Sequence, residues 1–294
     1  MKLSIIDIGT QSVKHYIFEQ NNLERRLVYY KRYSEANLGE HHEIISNETI
    51  NRNVEIIKNC LEFNTKESVE KLHLIGTEIL RKASNAKDFI DVVYKISGLD
   101  IEVISHDKEA IYLYEGLLEV IPSDKRFGAI NIGGGSTELI IGTKTEFLNS
   151  IKFPFGVKNI LKSFGEHDSI DWVLLDEFLD KEINISEKVS DLFITGDLDY
   201  ILAMRPYILL NSSPSQLLDH PIYLNMDDWR DWILKLRNTP LNILKEYYSK
   251  NPNFCDGITV GFSVYYAIAK KLGVEKIFPS NRDLTDGVIY EMNK

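Results

Sequence analysis

The chain has 294 residues, 27% charged and 44% hydrophobic, a composition of one or two globular domains that excludes collagen, coiled coil and wholesale disorder. Its formal charge of 34 − 44 = −10 repels nucleic-acid backbones unless cations gather in one place, so no nucleic-acid partner is expected. No run reaches the ~18 apolar residues of a membrane span, and Asp7 falls where a signal peptide has its apolar centre, so the sequence reads as soluble and cytoplasmic.

Cys60 and Cys255 lie far apart and outside any Cys/His cluster, which reads as two buried, reduced thiols rather than a disulfide or zinc site. The pairs Arg25-Arg26, Lys31-Arg32 and Lys270-Lys271 read as solvated surface charge; only Arg81 has a context that says more. His41, His42 and His106 have no i, i+4 partner or cysteine neighbour of the metal-site type and read as polar, hydrogen-bonded residues.

Leu3 to Ile8 is an apolar run too short for a helix, followed by the turn Gly9-Thr10-Gln11-Ser12 and a second extended run, Val13 to Phe18. Helical spacing over 47–63, a strand at 71–76 and a helix at 86–97 closed by Gly98 come next. A short strand at 101–104 and a helix over 107–121 lead to the polar connection 122–125. The opening pattern then returns at 127–142, with Gly133-Gly134-Gly135-Ser136 as its turn. Matching Ile6-Asp7-Ile8-Gly9 to Ile130-Asn131-Ile132-Gly133 gives a repeat of 131 − 7 = 124 residues, the size of a domain. Beyond 150 helices are expected at 156–164, 170–181, 227–237, 239–249 and 256–272, with a strand at 190–195 and a closing strand and helix over 275–293. The reading is α/β with domains 1–121 and 122–294, the last helix free to pack back on the first domain. Trp229, Trp232, Ile233 and Leu236 form an apolar stripe, read as core packing, with a homodimer face as the alternative.

A glycine-rich turn between strands can turn several amides toward one anion, and its repetition with Ser12 and Ser136 in matching places favours phosphate over a bare hairpin connection. Four segments carry a resemblance: Ile6 to Ser12, Gly76-Thr77-Glu78-Ile79-Leu80-Arg81-Lys82 to Asn85, Glu102 to Ala110, and Asn131 to Leu139. In this order and spacing they resemble the exopolyphosphatase / guanosine pentaphosphate phosphohydrolase (Ppx/GppA phosphatase) family of the actin-like ATPase superfamily, over residues 1–160. Weaker echoes follow at Pro154-Phe155-Gly156-Val157, Leu272-Gly273-Val274 and Leu284-Thr285-Asp286-Gly287.

The resemblance implies two related ribonuclease-H-like (actin-like ATPase) domains with an interdomain cleft. It implies a hydrolase that releases terminal phosphate from inorganic polyphosphate or a guanosine penta/tetraphosphate by water attack. Glu109 then matches the base, and Glu138 the residue that holds metal or water beside the phosphate. Asp7, Glu138 and Asn131 match the Mg²⁺ positions, while Gly9, Thr10, Gln11, Ser12, Arg81, Gly133, Gly134, Gly135 and Ser136 match the phosphate-binding ones. By spacing alone Glu109 reads rather as a first-turn carboxylate complementing the helix dipole, and a solvated helix-end charge is the alternative for Arg81.

The chain departs from the family pattern where Asn131 replaces Asp, His106 replaces Gly and Gln11 replaces Asn. The loop Thr195-Gly196-Asp197-Leu198-Asp199 carries two carboxylates where the family has a phosphate-contacting loop, and Asn281 and Thr285 stand where Asp and Arg are usual. These departures leave a second reading open: a binding protein of the same fold that senses a phosphorylated nucleotide or polyphosphate and no longer turns it over.

Overall fold

The computed structural model describes residues 1–10, 12–21, 25–39, 43–121, 124–208, 213–217 and 220–292. They form two compact units, Met1–Glu109 and Ala110–Lys294.

The first unit begins with an antiparallel meander of β1 (Lys2–Ile8), β2 (Val13–Gln20) and β3 (Arg25–Tyr33). Helix α1 (Asn47–Lys66) leads to β4 (Lys71–Gly76), then α2 (Glu78–Lys82), α3 (Ala86–Ser97) and β5 (Ile101–Val103). The sheet order is β3-β2-β1-β4-β5, with β4 parallel to β1 and β5 parallel to β4. Local signals set the helix ends: the Ser46 side chain accepts from the Thr49 amide at the start of α1, and Gly98 closes α3 at φ 70°. Ile6, Ile8 and Val13 from the meander pack with Ile57, Cys60, Phe89 and Val93 from the helices in one core.

Helix α4 (His106–Leu118) is followed by a second meander, β6 (Phe127–Ile132), β7 (Thr137–Gly142) and β8 (Phe147–Phe153). Then come α5 (Val157–Phe164), α6 (Trp172–Glu182), β9 (Asp191–Thr195), α7 (Leu198–Ile208), the ribbon β10 (Ser213–Leu217) and β11 (His220–Tyr223), α8 (Met226–Arg237), α9 (Leu241–Tyr247), α10 (Cys255–Leu272), β12 (Lys276–Ser280) and α11 (Leu284–Met292). The second sheet runs β8-β7-β6-β9-β12, the order and strand directions of the first. The ribonuclease-H-like domain expected from the resemblance is therefore present twice.

The division between the units falls earlier than the connection at 122–125. Ala110, Leu113, Tyr114 and Leu117 of α4, with Ile121, pack against Phe127, Ala129, Ile140, Phe193 and Phe278, so the body of α4 belongs to the second sheet. The closing helix α11 also lies in the second unit, where a Cβ at Gly287 would collide with the Tyr112 carbonyl of α4. The tryptophan stripe points inward: Trp229 and Trp232 are 0% and 1% exposed, against Phe262 of α10, so it is core and not a dimer face. Both cysteines are buried free thiols, as expected.

Candidate active site

In each sheet the three parallel strands end on the same side, and in parallel α/β sheets loops at carboxyl ends are where ligands are met. In the first unit β1 delivers Asp7 and Gly9, β4 delivers Thr77 and Arg81, and β5 delivers His106 and Glu109. The β1–β2 turn is closed by the Gly9 amide donating to the Ser12 carbonyl at 3.0 Å. Thr10 is turned toward the following segment, its carbonyl accepting from the Gly39 amide at 2.8 Å. Gln11 lies outside the described residues, as do His41 and His42.

The register sets Asp7 directly opposite Lys14, and Nζ of Lys14 reaches one carboxylate oxygen at 3.2 Å. Asp7 is 5% exposed, and its Oδ1 has no hydrogen-bond partner among the described residues. A buried carboxylate oxygen left unpaired is costly unless something else meets it.

Ser105 caps α4 by accepting from the Lys108 amide at 3.1 Å, which places Glu109 in the first turn. The Arg81 guanidinium sits against it. Nη2 donates to Glu109 Oε2 at 3.2 Å and to His106 Nδ1 at 3.0 Å, and Nη1 donates to the Ile104 carbonyl at 2.5 Å. Arg81 and Glu109 side chains are 16% and 19% exposed, so their charges interact in surroundings drier than the surface. Arg81 Nε is buried without a partner among the described residues. Three of the guanidinium's contacts thus go to the loop and helix that carry Glu109.

In the second unit the Gly133 amide donates to the Ser136 carbonyl at 2.8 Å, the same closure as in the first turn. The start of α5 grips this turn from one side: the Val157 and Lys158 amides donate to the Gly133 and Gly134 carbonyls at 3.0 and 2.9 Å. With Asn159 in the orientation that satisfies its amide, its nitrogen donates to the Gly134 and Gly135 carbonyls at 2.9 and 3.2 Å. Three turn carbonyls are consumed this way, and among the described residues the amides of Gly134, Gly135 and Ser136 donate to no main-chain carbonyl.

Asn131 faces Glu138 across β6 and β7. Glu138 is 8% exposed and is fixed by the Ser136 hydroxyl, which donates to its Oε1 at 2.7 Å. Ser136 thus serves the carboxylate through its side chain. The loop after β9 differs from its sequence reading. Asp197 is 6% exposed, burial pushes its carboxyl up to about 7, and a hydrogen bond with Tyr265 opposes that rise. Only Asp199 of the two carboxylates is exposed, accepting from Asn281 Nδ2 at 3.3 Å.

Residues 23–294 match the Ppx/GppA phosphatase family. The chain belongs to the Ppx/GppA phosphatase family. The guanosine-5'-triphosphate,3'-diphosphate pyrophosphatase of Vibrio cholerae is 33% identical over 239 residues, covering 76% of this chain and 45% of that protein. The protein of the same name from Vibrio vulnificus is 32% identical over 123 residues, 42% of this chain and 25% of that one. The matches thus span less than half the length of these relatives. Two solved structures share the fold: an Aquifex aeolicus Ppx/GppA family member, with TM-score 0.85, 21% identity and coverage of 100% and 97% of the two chains, and a Cytophaga hutchinsonii exopolyphosphatase, with TM-score 0.82, 22% identity and coverage of 99% and 97%.

Two side chains of this Ppx/GppA family chain stand in the site although sequence reasoning left them out of it. Lys14 had a signal in the repeat, since 14 + 124 = 138 sets it in register with Glu138. His106 had only its departure from the family's glycine. No group of three or more His, Cys, Asp or Glu able to hold a metal occurs among the described residues, and no described helix is long and apolar enough to cross a membrane.

Proposed function

We propose that this chain hydrolyses the terminal phosphoanhydride of inorganic polyphosphate or a guanosine penta/tetraphosphate, with water as the nucleophile and Glu109 as its base. The observation that carries the reading is the Arg81–Glu109 pair: a carboxylate on a capped helix, held at 3.2 Å at the carboxyl end of the parallel strands. Water's proton passes to Glu109 while its oxygen bonds the terminal phosphorus. The bridging P–O bond opens and its electron pair leaves with the shortened chain. Such reactions rest on positioning and charge stabilisation more than on covalent catalysis.

In this reading Arg81 orients Glu109. The amides of Gly134, Gly135 and Ser136, those of the first turn at Thr10 and Ser12, and the Lys14 ammonium hold phosphate oxygens. Asp7, Glu138 and Asn131 suit Mg²⁺: Asp7 has an oxygen unpartnered, Glu138 is fixed by Ser136, and Mg²⁺ is commonly held by one or two carboxylates with phosphate and water completing its ligands. When bound, the ion neutralises charge on the phosphate oxygens.

The test is phosphate release by purified protein with polyphosphate, pppGpp and ATP in parallel, with and without Mg²⁺. Release from the first two that is abolished in Glu109→Gln supports the reading; a Glu109→Gln protein as fast as wild type overturns it.

A further inference from the structure

The three acceptors pinning Arg81 to its neighbours are not equivalent. The Ile104 carbonyl and Glu109 accept by nature, but an imidazole nitrogen accepts only when unprotonated. A guanidinium has donors alone. With Arg81 Nη2 at 3.0 Å from His106 Nδ1, that nitrogen presents a lone pair and the ring proton sits on Nε2. The same Nη2 reaches Glu109 Oε2 at 3.2 Å, and the imidazole nitrogen and that oxygen are 3.9 Å apart. One nitrogen therefore divides its two hydrogens between His106 and Glu109. A third contact, from Nη1 to Ile104, fixes the plane of the group.

We propose that His106 is a positioning residue that acts through Arg81 to orient Glu109 for its water. The proposal rests on the reading of Glu109 as the base. A flat guanidinium held at Ile104 and Glu109 alone retains a hydrogen on Nη2 without an acceptor and can tilt about the line joining those two contacts. His106 removes that freedom by taking the remaining hydrogen from the same side of the turn, since it stands one residue after Ser105, the cap of α4, and three before Glu109. It is a side chain supplied at a place where the family resemblance has glycine, so this chain carries a support that a bare backbone there cannot supply. The role differs from a general contribution to stability. His106 is 40% exposed at its side chain, and it touches the pair that sets the direction of the Glu109 carboxylate.

Two measurements test this. The first needs no turnover: nitrogen-15 NMR of the His106 ring in the full chain near neutral pH. The expected result is unprotonated Nδ1 and protonated Nε2 in wild type, passing to a mixture of tautomers in Arg81→Gln. A ring protonated at Nδ1 in wild type overturns the proposal. The second compares phosphate release by His106→Ala, His106→Asn and Glu109→Gln, with short-chain polyphosphate as substrate. His106→Ala should lower kcat about tenfold with KM little changed, the loss typical of one hydrogen bond to a charged group. His106→Asn, whose side-chain oxygen replaces Nδ1 as an acceptor, should recover most of that loss. If Glu109→Gln is inactive while His106→Ala keeps the wild-type kcat, His106 has no positioning role and the reading of Glu109 stands. If Glu109→Gln is as fast as wild type, the reading of the base falls instead, and with it a role for His106 in turnover.

Discussion

The two glycine turns share a backbone and differ in their charges. Both close through an amide-to-carbonyl bond across the turn, Gly9 to Ser12 at 3.0 Å and Gly133 to Ser136 at 2.8 Å. That closure fixes the cross-strand register, which brings residue 7 opposite 14 and residue 131 opposite 138. In the first unit the acid is on the strand entering the turn and a lysine faces it; in the second an amide is on the entering strand and the acid is on the strand that leaves. The two units thus share main-chain geometry at the turn while the side chains beside it differ. A turn's amides are specified by backbone shape, whereas the neighbouring charge is set by which side chains the register brings opposite each other.

The largest expected difference is in turnover. Glu109→Gln, in the first unit, should lower phosphate release by about 10²–10⁴-fold with ligand affinity close to unchanged, as loss of a general base does. Calorimetry alongside a phosphate assay separates the two quantities, and a parallel fall in affinity would assign Glu109 to binding.

Next in size is the support of the turns. A Cβ at Gly156 would collide with the Gly133 carbonyl and crowd the Ser136 amide at 2.7 Å, whereas one at Gly9 meets the Ser12 carbonyl at 3.1 Å and Thr77 Oγ1 at an ordinary 3.9 Å. Gly156→Ala should therefore destabilise the second unit by about 1–3 kcal/mol, and Gly9→Ala the first by less than about 1 kcal/mol. Denaturant unfolding of both variants checks this, and equal losses would mean that α5 does not brace the second turn.

Two buried groups, one in each unit, should also respond oppositely to pH. Burial lowers His15 from 6.5; the unfolded chain then takes up a proton first as pH falls, so this part of the first unit's stability is full above 6.5 and declines below it. Asp197 holds its proton in the fold up to about 7 but loses it at 3.8 when unfolded, so its contribution is full below 3.8 and is lost as pH rises through about 7. Each effect is limited to ~1.4 kcal/mol per pH unit. Hydrogen exchange resolved by residue at several pH values should show Asp197→Asn gaining on wild type as pH rises, in the second unit alone. A constant gap would mean that Asp197 is ionised throughout.

The smallest effect concerns Asn131. Placing Asp there sets two like charges directly opposite on β6 and β7, which should cost about 0.2–1 kcal/mol without Mg²⁺. In exchange, less Mg²⁺ should be needed for half-maximal phosphate release, because a third carboxylate strengthens the proposed site. Thermal unfolding and a Mg²⁺ titration read the two sides, and an unmoved midpoint in the titration would remove residue 131 from the metal's surroundings.

Local pattern made much of this legible in advance. The first two strands of the chain, the helix ended by Gly98, the five helices expected beyond 150 and the closing strand and helix follow from apolar periodicity, turn residues and caps acting within a few residues of each other. The strands Arg25–Tyr33 and Phe147–Phe153 were not expected. Each lies at an edge of its sheet and carries polar or charged side chains among its apolar ones, so pairing with the neighbouring strand decides its shape, not its own pattern. Helix α7 is hidden by Pro206, which breaks a helical reading near its end. The boundary was placed at a polar connection, but the apolar face of α4 finds its partners on the strands that follow.

By itself the sequence determined the domain-sized repeat, the two glycine turns, the family and the residue types at the site, because each is a property of neighbours in the chain or of ordered motifs. Tertiary structure alone decided what those residues touch. It buried Asp197 against Tyr265, turned Ser136 toward Glu138, set Lys14 on Asp7, and drew Arg81 across to Glu109 and His106, residues 28 and 25 positions away. The physical reason is that a charge's partner is selected by distance and desolvation in space. Strand register and helix placement settle both, and neither is written in the spacing of residues along the chain.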